Sequence, residues 1–196
     1  MRADLDIIQH WIAPGSRVLD LGCGDGSLLE YLKRTKGVSD TGLEIDERKI
    51  HACLEKGVNV LEQDLNKSLT NFCDKSFDTV LLTQTLQAVS YPDVLMDEML
   101  RIGSNVIVTF PNFGNWRSRW YLTFKGRMPV SNFMPYQWYD TPNIHFCTVR
   151  DFDALCRERQ IKVITRTVVD HKHQGSWMIR LWPNLLGETA IYHLSR

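Results

Sequence analysis

Three glycines, Gly22, Gly24 and Gly26, follow the short apolar run Val18-Leu19-Asp20-Leu21, and a second acid, Glu44, sits in the next apolar run, Thr41 to Ile45. A strand, a glycine turn, a helix and a second strand in this order build a nucleoside pocket at the carboxyl edge of a parallel sheet. The glycines let the backbone turn sharply and approach a ligand with no Cβ in the way. Glu44 lies at about the twenty-residue offset of an acid that grips ribose hydroxyls. Asp20 then discriminates between nucleotides. A dinucleotide places its pyrophosphate at the helix N-terminus, where a carboxylate would repel it. S-adenosylmethionine carries an ammonium and a sulfonium, which an acid attracts. The spacing agrees: Gly26 makes G-x-G-x-G, whereas the dinucleotide spacing G-x-G-x-x-G would need glycine in place of Ser27. S-adenosylmethionine is therefore the expected ligand, with NAD and a ligand-free structural turn as the alternatives.

Gln63-Asp64-Leu65 directly follows the third predicted strand. Asp64 there can accept a hydrogen bond from an adenine amino group, with the Leu65 backbone beside it. An isolated Asp is more commonly a turn acid, but Asp20, Glu44 and Asp64 all fall at the ends of consecutive strands. After the fourth strand comes Thr83-Gln84-Thr85-Leu86-Gln87. Methyl transfer needs an acceptor nucleophile and often a base for its proton. This loop supplies amides and hydroxyls but no carboxylate, histidine or lysine, and it lacks the [N/D]-P-P-[Y/F] set used on amino groups. Gln84 and Gln87 can position a partner but are poor bases. No catalytic residue is assigned.

Between Phe113 and Phe146 lie ten of the twenty aromatic residues, interleaved with Arg117, Arg119, Lys125 and Arg127, and Asp140 is the only acid there. Such a mixture can stack single-stranded nucleic acid, cover a substrate as a lid, or anchor a protein interface; part of it must also pack internally. His145-Phe146-Cys147 and His171-Lys172-His173 hold ligand-type side chains without a four-ligand spacing, so no metal site is expected. Ser176 is not in a G-x-S-x-G elbow.

The elements that must position these residues are legible from periodicity. Helices are expected over 4–12, 27–36 (closed by Gly37), 47–56 (closed by Gly57), from Pro92 to before Gly103, and from the capping box Thr148-Val149-Arg150-Asp151 to about Arg159. Strands are expected over 17–21, 41–45, 58–62, 77–82, 105–110, 162–169 and 190–194. This alternation predicts an α/β, Rossmann-like, doubly wound, mainly parallel seven-stranded sheet. The aromatic-rich segment, about 111–147, reads as an irregular insertion after strand 5 of one domain spanning 1–196.

Composition narrows the class. With 23 basic and 23 acidic residues the formal net charge is zero, which gives no support to a nucleic-acid partner. Apolar runs are strand-sized, far short of the roughly twenty residues of a membrane span. The first residues are polar and acidic, unlike a signal peptide. Five cysteines without a C-x-x-C pair read as reduced thiols of a cytoplasmic protein.

Val18 to Gly26 followed by Glu44 resembles the class I S-adenosylmethionine-dependent methyltransferase fold. Three further stretches, Thr109 to Gly114, Gly126 to Ser131 and Trp138 to His145, resemble the MetW family of methionine biosynthesis proteins, as does Arg180 to Glu188. The resemblance runs from the first helix to the last strand. It implies binding of S-adenosylmethionine or S-adenosylhomocysteine, with Asp20, Gly22 and Gly24 at the methionine end, Glu44 at the ribose and Asp64 at the adenine. Cys23, Ile45, Leu65 and Thr83 complete the implied contact set. It also implies a role beside the homoserine O-acyltransferase MetX, as an accessory or regulatory subunit in a hetero-oligomer. The alternatives are a methyltransferase acting on a small molecule and a structural partner with an empty pocket. Two positions depart from the pattern: the 84–87 loop lacks acceptor chemistry, and Asn115 stands where relatives often carry histidine.

Overall fold

The computed structural model describes residues 3–131, 135–170 and 177–196. His171, His173 and Ser176 lie outside them. Among the described residues no group of His, Cys, Asp or Glu could hold a metal ion, and no helix is long and apolar enough to cross a membrane.

Seven strands form one sheet: β1 Arg17–Leu21, β2 Ser39–Glu44, β3 Val60–Glu62, β4 Phe77–Thr83, β5 Gly103–Pro111, β6 Lys162–Val169 and β7 Thr189–Ser195. Their spatial order is β3-β2-β1-β4-β5-β7-β6. Neighbours from β3 to β5 pair in parallel, and β7 is antiparallel to both β5 and β6. The helices are α1 Ala3–Trp11, α2 Ser27–Lys36, α3 Glu47–Glu55, α4 Pro92–Ile102, α5 Trp116–Lys125, α6 Val149–Glu158, α7 Trp177–Leu181 and α8 Pro183–Leu186.

The central strands β1, β4, β5 and β7 are buried on both faces, because both faces of the sheet are covered there, whereas the outer strands β3 and β6 are largely exposed. Alternate residues feed two separate cores. Leu19, Leu21, Val80, Leu82, Val106, Val108 and Phe110 pack with Met96 and Met99 of α4 and Phe152 of α6. Val18, Leu81, Ile107 and Ile191 pack on the other face with Ile8, Ile12, Leu29 and Leu32 of α1 and α2. The sheet is thereby held rigid beneath its carboxyl edge.

The helix ends follow their caps. Gly37 closes α2 at φ 63°, its N–H donating to Lys33 O. Thr148 and Asp151 make both halves of the capping box of α6. Strand β3 begins at Val60 rather than Val58, because the Asn59 N–H is taken by the Asp40 carboxylate (2.9 Å). Strand β5 starts earlier than expected, at Gly103, which pairs directly with Phe77. The segment after β5 is not irregular throughout. It contains α5, capped by the Asn115 side chain at one end and by Gly126 at the other. Amphipathic periodicity could not reveal this helix, since Ser118 is its sole buried residue; the two caps were the readable signal. The short helices α7 and α8 were also missed, although Pro183 in the first turn of α8 marks its start.

Candidate functional site

The glycine turn leaves β1 at the carboxyl edge. Gly22 and Gly24 adopt φ of 72° and 60°, the left-handed region in which other residues are strained. They serve different ends. A Cβ on Gly22 would lie 2.8 Å from Thr85 Oγ1, so this glycine lets β1 pack against the loop after β4. A Cβ on Gly24 would meet nothing within 4 Å, so this glycine keeps space open beside the backbone.

Glu44, buried at the end of β2, fixes the turn. Its Oε2 accepts from Gly24 N (2.9 Å), and its Oε1 accepts from Ile45 N (2.9 Å) and Asp46 N (3.1 Å). An ionised carboxylate has about four lone-pair sites, so three backbone donors still leave capacity for a ligand hydroxyl. Beneath the turn, Cys23 Sγ lies 3.8 Å from Cys53 Sγ, and Cys53 donates to Gly24 O. Burial, and then the charge of Asp20, pushes the Cys23 thiol far up; burial likewise raises Cys53. Both are therefore neutral packing thiols. On the outer side Lys56 bridges Asp25 (2.5 Å) and Ser27 (2.7 Å), and this contact lowers Asp25 to about 2.

A cleft of about 310 Å³ opens along the carboxyl ends of β1 to β4. Of the residues expected from sequence, Gly22, Glu44, Ile45, Asp64 and Leu65 line it. Gly24 adjoins them through its bond to Glu44. Asp20, Cys23 and Thr83 are not on the wall: Asp20 and Cys23 are buried, and Thr83 is half-buried at the end of β4. Asp64 is also a turn acid, since its Oδ1 accepts from Asn66 N (2.9 Å). The rest of the lining, which includes Lys49, Gln63, Gln84, the Thr85 hydroxyl and Pro142, was not expected to contact a ligand. Pro142 comes from the segment after β5, so only the tertiary fold could bring it here. Gln84 holds φ 59°, a strained conformation fixed by its N–H donating to Thr109 O (3.0 Å) and Oγ1 (3.1 Å).

The two glutamines of the loop after β4 have separate roles. Gln84 faces the cleft. Gln87 is buried and ties the structure together. Its Nε2 donates to Pro111 O (3.1 Å) and Cys147 Sγ (3.5 Å), while its backbone carbonyl accepts from Ile144 N (2.7 Å) and His145 N (3.1 Å). The strand end, the loop and the returning insertion are thus joined at one residue. His145 is not placed as a free base either, as its Nε2 lies 3.2 Å from Ser90 O. Asn115 caps α5 and donates to Leu186 O and Gly187 O. The cleft wall thus combines two carboxylates, one lysine, amides, a hydroxyl and apolar side chains. That set has the chemistry to receive a polar nucleoside with hydroxyls and positive charge; its amides can orient groups but do not take protons.

Comparison with known proteins agrees with this architecture. Residues 2–194 match the model of the family described as methionine biosynthesis protein MetW. Over its whole length the chain is 35% identical to a bifunctional methionine biosynthesis protein MetXA/MetW from Rhodopirellula baltica, and it spans 33% of that longer protein. A ubiquinone biosynthesis O-methyltransferase from Nitrosococcus oceani is 30% identical over 115 residues, 54% of this chain and 48% of that one. Among solved structures, an S-adenosylmethionine-dependent methyltransferase from Mesorhizobium loti superposes with a TM-score of 0.71 at 16% identity, covering 99% of this chain and 98% of that one.

Proposed function

The chain belongs to the MetW family of methionine biosynthesis proteins, and on that footing we propose that it is an S-adenosylmethionine-binding accessory subunit of a homoserine O-acyltransferase, MetX. The observation that carries the partnership is the Rhodopirellula baltica relative, in which MetXA and MetW share one polypeptide. Covalent linkage of two activities keeps them at high effective concentration, and separate chains achieve the same end by binding. The bifunctional relative is about three times as long as this chain.

The cleft supports the ligand. Glu44 has acceptor capacity left for ribose hydroxyls, and Asp64 with Leu65 stands where an adenine edge would be read. Ile45, 61% exposed on the wall, offers an apolar surface to a base. Asp20, Gly22, Cys23, Gly24 and Thr83 would surround the methionine end, Asp20 supplying negative charge from beneath the turn and Gly24 supplying room. The bound ligand would supply an electrophilic methyl group; the residues around it bind and orient. S-adenosylmethionine is made from methionine, so its binding reports the output of the pathway to the acyltransferase that feeds it. The protein then acts in the cytoplasm.

Such sensing requires unequal ligand affinities in the free and partnered states, a coupling of about 1–3 kcal/mol. Calorimetric titration of S-adenosylmethionine into the chain alone and into its complex with the acyltransferase tests this. The expected result is a shift in Kd of roughly fivefold or more. Equal affinities would remove the sensing role, and the absence of any complex would remove the partnership.

A second reading, a methyltransferase acting on a small molecule, draws on the partial match to an O-methyltransferase. Catalysis would then rest on holding the acceptor in line with the sulfonium methyl, a positional effect of several kcal/mol. Methyl transfer to a pathway metabolite, lost in Asp20→Ala, would favour this reading over the accessory role.

A further inference from the structure

Two elements outside the cleft present large apolar side chains to solvent. Helix α5 exposes Trp116, Trp120 and Phe124, one turn apart, at 46%, 62% and 64%. Helices α7 and α8 with their junction expose Trp177, Leu181 and Trp182, at 69%, 60% and 59%. These are not scattered residues. Buried asparagines fasten the start of α5 to α8: Asn112 Nδ2 donates to Asn184 O (3.0 Å) and Gly187 O (2.8 Å), and Asn115 Nδ2 to Leu186 O (3.2 Å) and Gly187 O (3.1 Å). Arg117 adds an ion pair to the buried Glu188 at 2.9 Å. The two helical segments therefore adjoin, and a polar network invested in their junction holds the aromatic side chains on a fixed platform. Trp120 and Phe124 also pack ring on ring, with centroids 4.1 Å apart.

At about 150–250 Å² for a whole aromatic side chain, five aromatic side chains roughly 60% exposed, together with Leu181, present on the order of 500–800 Å² over the two segments. That lies at or above the top of the ~300–600 Å² range of the largest apolar patch on an ordinary monomer. It is comparable with the ~800 Å² each partner contributes to a stable interface once the polar rim is added.

Charge selects the occupant. Residues 111–131 and 177–187 contain no acid, while Arg119, Lys125, Arg127 and Arg180 are exposed there. In a twofold dimer of this chain the same patch would face itself, setting these cations against one another without carboxylates between them. A different protein with an apolar groove and an acidic rim fits instead.

We propose that this platform is the surface on which the homoserine O-acyltransferase docks, with Trp120 and Trp182 as its apolar anchors and Arg119 meeting an acidic rim. The inference rests on the accessory role proposed above and adds its location. The location also bears on regulation. The platform rises from the carboxyl end of β5 and the adjoining amino end of the antiparallel β7, at the same edge as the cleft. The chain that leaves α5 returns past the cleft at Pro142 and is pinned at Ile144 and His145 to Gln87. A partner on the platform would therefore press on a segment that also lines the ligand cleft.

The test is a binding titration, by calorimetry or interferometry, of the full chain against its cognate acyltransferase. Trp120→Ala, Trp182→Ala and Arg119→Glu are compared with Leu54→Ser, an equally exposed apolar site on α3 (58%). Circular dichroism melts serve as the control for folding; all four positions are on the surface. The expected result is a loss of affinity of at least about tenfold for each platform variant, a weakened salt dependence for Arg119→Glu, and binding within twofold of wild type for Leu54→Ser. If wild type binds and the platform variants bind equally well, the location is wrong and the accessory role stands. If wild type does not bind, the accessory role itself falls. Self-association of the wild type that is abolished by Trp120→Ala would assign the platform to a second copy and overturn the proposal.

Discussion

Gly24 and Gly37 form a matched pair that isolates ligand contact from backbone strain. Their φ values are 60° and 63°, and at each an added Cβ would meet no atom within 4 Å. One lies in the turn clamped by Glu44, the other at the remote end of α2. Alanine in the left-handed region costs about 1–2 kcal/mol, and the smaller entropy of its unfolded chain offsets part of that cost only where the native conformation is unstrained. Gly24→Ala and Gly37→Ala should therefore each lose about 1–2 kcal/mol, lowering Tm by roughly 2–4 °C per kcal/mol in a chain of this size. Binding should separate them. A methyl on Gly24 fills the space beside Glu44 that the ligand approaches, and S-adenosylmethionine affinity should drop by at least about tenfold, equivalent to roughly 1.4 kcal/mol. Gly37→Ala should bind as wild type does. Differential scanning fluorimetry gives the first quantity and isothermal titration calorimetry the second. If the two variants bind the ligand equally, whether both normally or both weakly, the turn does not make close contact with the ligand.

Three further outcomes follow from particular contacts. Gln87→Ala removes the side-chain bonds to Pro111 and Cys147 and should cost about 1–3 kcal/mol; hydrogen exchange should show reduced protection at Ile144 and His145, and unchanged protection would contradict the joining role. Of the five thiols, Cys73 is exposed, burial pushes Cys147 and Cys156 up to about 11, and Cys23 and Cys53 are buried and raised; iodoacetamide at neutral pH should modify one cysteine rapidly and four slowly, as read by intact mass. Lys56 lowers Asp25 from 3.8 to about 2, so the stability this pair contributes is complete above about pH 4 and disappears as pH falls through about 2. The contribution is modest because Asp25 is exposed, and the difference in acid-unfolding stability between wild type and Lys56→Met should shrink across that interval rather than stay constant.

The parallel half of the fold was legible because its signals are local. Val18 to Leu21, the glycines and Glu44 form one strand, turn, helix and strand unit, and the alternation of strands with helices fixes the sheet class. β6 was bounded from its residue pattern alone, at Lys162 and Val169. What was not legible depended on contacts distant in sequence. Pro142 reaches the cleft only because the insertion folds back onto Gln87. Gln87 had the look of a positioning group in an acceptor site, yet its amide is spent on Pro111 and Cys147. Helix α5 broke the rule by which helices are found: its apolar residues face solvent and its serine faces inward. That violation is the feature from which the docking surface is proposed.

An accessory subunit that senses S-adenosylmethionine must alter the rate of its acyltransferase in a ligand-dependent way. The most direct measurement is the rate of the cognate homoserine O-acyltransferase with and without this protein, each with and without S-adenosylmethionine. The expected result is a clear change in rate when the protein is added, and a dependence of that change on the ligand that is lost in Gly24→Ala. An acyltransferase rate that is the same in all four combinations would contradict it.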